Sequence, residues 1–415
     1  MLLRFTHMRS RLIVLAALVV FALIAVACRG GDSAGDDDGD QKTITFGASL
    51  SLTGATATEG RLVRDGYDFM VDRINEEGGI EVGDETYEVD IQYYDDQSDA
   101  DTAVRLYEKL IVEDEVDFLL GPYSSGTTLP VSAVSERHQI PMVVAHAAST
   151  PIYEQGFEYI FGTLTTVEQY TAPIIQMATT LDPPVETVAL INENALFPQV
   201  GIDGAETQAE QNGIEVIYKE KYPTGTKDLS PLLADVENRE PDMLIAGGYT
   251  GDMILLERQA EEAGLNVPLT GYLLGPTLPG FVEDLGKNAE NILEPIQWAP
   301  SMDWTDEIYG WTAEEFATMF EDEMGYRPDY HPPQSAAALE VFMDALQRAG
   351  TLDKEEVRDA IAETDIESFY GPISFDEQGR NVAKGTAVIQ IQDGKPVIVW
   401  PEEIAEAELI YPAPN

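Results

Sequence analysis

The chain has 415 residues, 44% hydrophobic and 24% charged, with 24 Lys+Arg against 75 Asp+Glu. It is too long and too apolar for a disordered acidic tail, and at roughly 100 to 200 residues per domain it makes two or three domains. A formal charge of −51, with no basic cluster to offset it, excludes nucleic-acid binding; the single cysteine, Cys28, excludes an intrachain disulfide framework and a thiolate zinc cage.

In chain order, Arg4, Arg9 and Arg11 precede sixteen apolar residues, 12–27, which end in Ala25-Val26-Ala27-Cys28. That layout predicts a secretory signal over 1–27, since a bilayer span needs about 20 apolar residues and small residues mark the end of this run. Ordinary signal cleavage and a lipobox, in which the Cys28 thiol is lipidated, cut at the same bond; Ala25 stands where a lipobox usually has Leu. Residues 28–41 carry no large apolar side chain and read as a flexible acidic tether. Removing 1–27 takes away three arginines and no acids, so the charge becomes −54. Such a surplus fits a surface adapted to high salt, and equally a generally acidic proteome.

From residue 43 the hydrophobic period alternates between 2 and 3.6. It predicts strands at 43–50, 87–94, 118–120 and 142–145, separated by helices carrying Leu62, Tyr67 and Ile74, then Ala103, Leu106 and Leu110, then residues 132–138. A second series starts after 159–164: helix 168–181, strand 187–192, helix 201–212, strand 214–222, helix 229–237, strand 243–246, helix 252–263 and strand 267–273. Two doubly wound α/β units follow, each a parallel sheet with helices on both faces. Helices at 313–324, 335–349 and 354–364 and strands near 373, 387–391 and 397–400 read as additions to both units.

The sequence has no G-x-G-x-x-G after a strand, no Walker loop, no G-x-S-x-G elbow and no H-E-x-x-H. His138, His146 and His331 lie far apart with no second ligand at metal spacing, so no metal or cofactor is expected. A nucleophile at Ser124 or Ser125 with His146 as base would also need an orienting acid and an oxyanion hole, which no motif supplies. The chain reads as a binding protein, not an enzyme. What stands out instead is small hydroxyl residues and glycines at three strand ends: 49–54, 121–128 and 146–151. Open α/β sheets bind ligands there, and N–H groups and hydroxyls at helix starts suit a carboxylate. Helix capping uses the same residues, but three such loops on one sheet edge favour a site.

The order Ser51-Leu52-Thr53-Gly54, Asn75-Glu76-Glu77-Gly78-Gly79-Ile80, Tyr94-Asp95-Asp96, Gly121-Pro122-Tyr123-Ser124-Ser125, Ala148-Ser149-Thr150-Pro151, Ala246-Gly247-Gly248-Tyr249 and Gly371-Pro372-Ile373-Ser374-Phe375-Asp376 resembles the leucine/isoleucine/valine-binding family of extracytoplasmic solute receptors. The resemblance covers nearly all of the chain after residue 28. It implies the type I periplasmic binding fold, two lobes joined by a three-crossover hinge, with lobe 1 at 42–165 and 297–378, lobe 2 at 166–296 and 379–400, and a tail at 401–415. It also implies capture of an amino acid or related small carboxylate by lobe closure and delivery to an ABC importer permease, from an exported chain that is periplasmic or anchored through lipid on Cys28. A sensory module acting on a separate signalling partner is the alternative.

Carried over residue by residue, Ser125 and Ser149 match positions that hold the ligand carboxylate, and Ala147 one whose carbonyl accepts from the ligand ammonium. Tyr123 and Ala148 stand in the same loops, and Phe197 and Tyr249 match aromatic positions lining the second lobe. Two positions depart from the pattern. Glu59 replaces an aromatic side wall, and Leu273 replaces the acid that pairs with the ammonium. Since an unpaired buried ammonium is costly, either another acid, Glu59 above all, takes that place, or the ligand lacks an amine.

Overall fold

The computed structural model describes residues 42–414; the expected signal, Cys28 and the tether lie outside the described residues. In chain order the first sheet and its helices are β1 (Lys42–Leu50), α1 (Ala57–Glu76), β2 (Ile80–Val82), β3 (Glu85–Asp95), α2 (Ala100–Val112), β4 (Phe118–Leu120), α3 (Ser125–His138), β5 (Met142–Val144) and β6 (Ile160–Gly162). Then come α4 (Ala172–Thr179), β7 (Thr187–Glu193), α5 (Leu196–Gln211), β8 (Glu215–Tyr222), α6 (Ser230–Glu237), β9 (Met243–Gly247), α7 (Thr250–Ala263), β10 (Leu269–Tyr272), α8 (Pro279–Leu285) and β11 (Leu293–Ile296). The last part holds α9 (Ala313–Met324), α10 (His331–Ala349), α11 (Lys354–Ala362), β12 (Asp365–Ser368), β13 (Gly371–Ser374), β14 (Ala387–Gln392) and β15 (Lys395–Trp400).

Two large sheets result, with strand orders β2-β3-β1-β4-β5-β6 and β15-β14-β11-β10-β9-β7-β8. Their centres are parallel, as expected, but each has antiparallel pairs at an edge: β2 with β3, and β14 with β11 and β15. Among the described residues the strand near Ile373 joins neither of these; β13 pairs with β12 in a separate two-stranded sheet. β2, α8, β11 and β12 have no counterpart in the sequence reading. β11 reads Leu-Glu-Pro-Ile, and an acid beside a proline argues against a buried strand.

The cores explain the strands. Val188, Leu190, Met243 and Ile245 face one helix layer, whereas Ala189, Ile191, Leu244 and Ala246 face the other, so β7 and β9 are apolar throughout because both faces are buried. In the first sheet Ile44, Phe46, Ala48 and Leu50 pack with Val63, Tyr67 and Met70 of α1 and with Phe342 of α10. Close approach of α1 to α10 is possible because Gly66 has no side chain: a Cβ there would stand 2.4 Å from the Pro332 carbonyl oxygen. Helices α9 to α11 thus build on the first sheet, and β14 and β15 on the second.

The chain passes between the lobes after β6, after β11 and before β14. These passages are bonded to one another: the Gly162 amide donates to Gly379 O at 2.7 Å, Thr165 N to Gln297 Oε1 at 2.9 Å and Thr165 Oγ1 to Lys384 O at 2.5 Å. Asn381 is buried among them, its amide nitrogen donating to the Thr163 and Pro372 carbonyls and its oxygen accepting from the Ser374 and Ala383 amides.

Candidate functional site

In each sheet consecutive crossovers run to opposite sides of one strand, and a crevice opens at the C-terminal ends where the direction reverses: between β1 and β4, and between β7 and β9. Chain segments that leave these ends enclose a cavity. Its wall takes Tyr123, Ser124 and Ser125 from the segment after β4, His146 and Ala148 after β5, Phe197 after β7, Tyr249 after β9, Leu273 and Leu274 after β10, and Glu294 from β11. The empty space, counting its open mouth, is about 540 Å³.

The first lobe contributes a helix N-terminus. Ser124 caps α3, its Oγ accepting from the Thr127 amide at 3.4 Å, and stands at φ 75°, ψ 144°, a region costly for any residue with a side chain. Ser125, the first residue of the helix, is 1% exposed, and its Oγ accepts from the Ser149 amide at 3.3 Å. The hydroxyl of Ser149 is buried without a hydrogen-bond partner. Unpaired N–H groups and serine hydroxyls at the positive end of a helix form a receptacle for an anion.

Of the residues singled out in sequence, Ser125, Tyr123, Ala148, Phe197 and Tyr249 come together on the cavity wall. Ala147, Ser149 and Glu59 are buried but do not line it. The Ala147 carbonyl accepts from the Tyr153 hydroxyl at 2.8 Å. Glu59 reaches across to the second lobe, where its Oε1 accepts from the Thr250 hydroxyl at 2.6 Å. The lobes also meet through rings: Tyr123 lies 6.3 Å from Tyr249, which stacks on Phe197 at 6.0 Å, which meets Tyr170 at 6.1 Å.

Three lining groups have no signal in the sequence. His331, at the start of α10, stacks on His146 at 5.3 Å and on Tyr330 at 4.2 Å; its Nδ1 stands 3.0 Å from Asp329 Oδ2. Gln334, one turn on, accepts from the Tyr370 hydroxyl through Oε1, which directs its nitrogen to the Ala145 carbonyl and to His146 Nδ1. His146 Nε2 stands 2.8 Å from Ser335 Oγ, which itself donates to the His331 carbonyl, so the ring is the Nε2–H tautomer. Burial, with His331 beside it, holds the His146 pKa well below the usual imidazole value. Both its nitrogens are thus committed to Ser335 and Gln334, and neither is a base for Ser124 or Ser125.

The third group is Glu294, 1% exposed. Its Oε2 accepts from the Thr277 amide at 2.6 Å and its Oε1 from the Gly275 amide at 3.3 Å. Burial outweighs these bonds and pushes its pKa up to about 8. A lone glutamate in a stretch without a recognisable strand gave no reason to select it.

Among the described residues no helix is long and apolar enough to cross a membrane, and no group of three or more His, Cys, Asp or Glu is placed to hold a metal ion.

Comparison with known proteins agrees with this fold. The family model for periplasmic binding proteins matches residues 43–396. The Leu/Ile/Val-binding protein homolog 7 of Brucella suis is 26% identical over 416 residues, covering 96% of this chain and 99% of the relative. The branched-chain amino acid transporter substrate binding protein LivJ of Streptococcus pneumoniae, solved with isoleucine, superposes with a TM-score of 0.76 at 22% identity, over 89% of this chain and 100% of that one. A solute binding protein of an ABC transporter from R. palustris, solved with benzoate, superposes with a TM-score of 0.73 at 18% identity, over 88% of this chain and 100% of that one.

Proposed function

The chain belongs to the periplasmic binding protein family, and from that premise we propose that it captures an amino acid or related small carboxylate between its lobes and delivers it to an ABC importer. The observation that carries this reading is the cavity itself, walled by an anion-suited helix N-terminus at Ser125 on one lobe and by the Phe197 and Tyr249 rings on the other. Relatives that bear the name Leu/Ile/Val-binding protein, and similarly folded chains solved with isoleucine and with benzoate, support a ligand with a carboxylate and an apolar body.

The ligand's acid end binds first, to the Ser125 hydroxyl and the α3 amides, with Ser149 supporting Ser125 from behind. Tyr123 and Ala148 form the adjoining wall. The second lobe then closes Phe197 and Tyr249 over the apolar body, while Glu59 and Thr250 fasten the two lobes at the rim. Only the ligand's preference for the closed form shifts the open–closed equilibrium, and that shift is what a permease reads. The chain performs no chemistry on the ligand. The moving bodies are lobe 1, 42–165 and 297–378, and lobe 2, 166–296 and 379–400, with 401–415 as a tail.

Family membership makes this an exported protein. Residues 1–27 serve as the signal, and lipid on Cys28 anchors the chain to the outer face of the cytoplasmic membrane through the 28–41 tether.

Isothermal titration against a panel of amino acids and of aliphatic and aromatic carboxylates tests the function. At least one carboxylate is expected to bind at micromolar affinity or better, and heat from none of them would refute the reading.

A further inference from the structure

The helix N-terminus provides for the ligand's anionic end, but the rest of the cavity has a charge character of its own. Among its described lining residues there is no Lys or Arg, and the single carboxyl is Glu294. It reaches this place from an unexpected strand. β11 pairs in parallel with β10, and the Glu294 side chain crosses to the backbone of 275 and 277, just past the end of β10. Leu273, where the resemblance calls for the acid that meets an ammonium, stands at that same strand end and lines the same cavity as a hydrocarbon. The other sequence-level substitute, Glu59, is bonded to Thr250 and does not line the cavity.

We propose that Glu294 is the specificity-determining residue for a cationic nitrogen: the neighbouring strand supplies the acid that position 273 lacks, and the ligand is a zwitterion whose ammonium pairs with the Glu294 carboxylate. This rests on the cavity being the ligand site. The surroundings favour a cation once the carboxylate is formed. The Gly275 and Thr277 amides orient both of its oxygens without neutralising it, and each oxygen retains a lone pair for an incoming N–H. Asp329 lies near enough to add negative potential, and Tyr330, Tyr170 and Tyr249 turn aromatic surface into the same cavity. A ligand with a carboxylate and no amine would offer the buried Glu294 carboxylate no opposite charge.

The test uses matched pairs that differ only in the amine, L-leucine with 4-methylpentanoate and L-phenylalanine with 3-phenylpropionate, titrated into the wild-type chain and into Glu294→Gln. In the wild type the amino acid of the tighter pair binds about 30-fold or more better than its deamino partner, and Glu294→Gln brings the two to within about 3-fold, chiefly by weakening the amino acid. A wild type that binds the deamino acid as well or better overturns the assignment of Glu294 while leaving the carboxylate site standing, and this comparison needs no variant to fold. An unchanged ratio in Glu294→Gln also overturns it. If no member of either pair binds the wild type, the assignment falls, and the site reading falls with it when the wider carboxylate panel also gives no heat.

Discussion

The Ser149 amide donates to Ser125 Oγ at 3.3 Å, tying the segments that leave β4 and β5 to each other at the edge of the first sheet. Because the Ser125 oxygen accepts this bond, its own proton is directed away from Ser149 and is available to a ligand. Ser125→Ala removes that donor without opening the core. The best carboxylate is expected to lose about 1.5 to 3 kcal/mol, about 10- to 150-fold in Kd, with the thermal midpoint little changed. Titration calorimetry measures it, and an unaltered Kd would take Ser125 out of the site.

The Thr250 hydroxyl donates to Glu59 across the two lobes, a contact that lobe separation would break. A contact made in one state alone biases the equilibrium toward that state, so Thr250→Val shifts the chain toward the open form. Affinity should fall about 10-fold, mostly through faster dissociation in stopped-flow measurements. Identical off-rates in variant and wild type would mean that this bond does not secure closure.

Glu294 yields a stability prediction with an unusual sign. Its folded pKa of about 8 lies above the ordinary 4.5, so the folded state holds a proton that the unfolded state has released between those values. The associated stability is complete below the unfolded pKa and is lost as pH rises through about 8, at up to ~1.4 kcal/mol per pH unit for this one group. Glu294→Gln keeps the shape and abolishes the titration. Urea melts between about pH 5 and about pH 9 should therefore show wild type losing ground to the variant as pH rises, whereas parallel curves would contradict it.

Asn381 satisfies four backbone groups where the crossings run together. Asn381→Ala leaves buried amides and carbonyls unpaired and should cost about 2 to 4 kcal/mol in chemical denaturation. A loss under about 0.5 kcal/mol would mean that the hinge strands do not depend on it.

Much of this architecture was legible because the signal is physical. Parallel strands buried on both faces must be apolar throughout, as Val188 to Ile191 and Met243 to Ala246 are, and the helices between them must carry a stripe. The loops after β4 and β5 were legible because small hydroxyl residues recur at strand ends. β11 was not, because Glu294 and Pro295 owe their place to tertiary contacts: the glutamate to the amides of 275 and 277, the proline to a position beside an edge of sheet that turns antiparallel. His331 and Gln334 begin a helix more than 180 residues beyond His146, and no local pattern announces that they will meet. The acid that sequence could name, Glu59, was visible only as an exception at its own position, and its partner Thr250 lies 191 residues away.

The most direct test is a crystal structure of the chain with the tightest-binding ligand of the titration panel. The prediction is a ligand carboxylate within hydrogen-bond distance of Ser125 Oγ and the α3 amides, with Phe197 and Tyr249 against its body. A ligand seated outside the space between the two sheets, or one whose carboxylate faces away from Ser125, would contradict it.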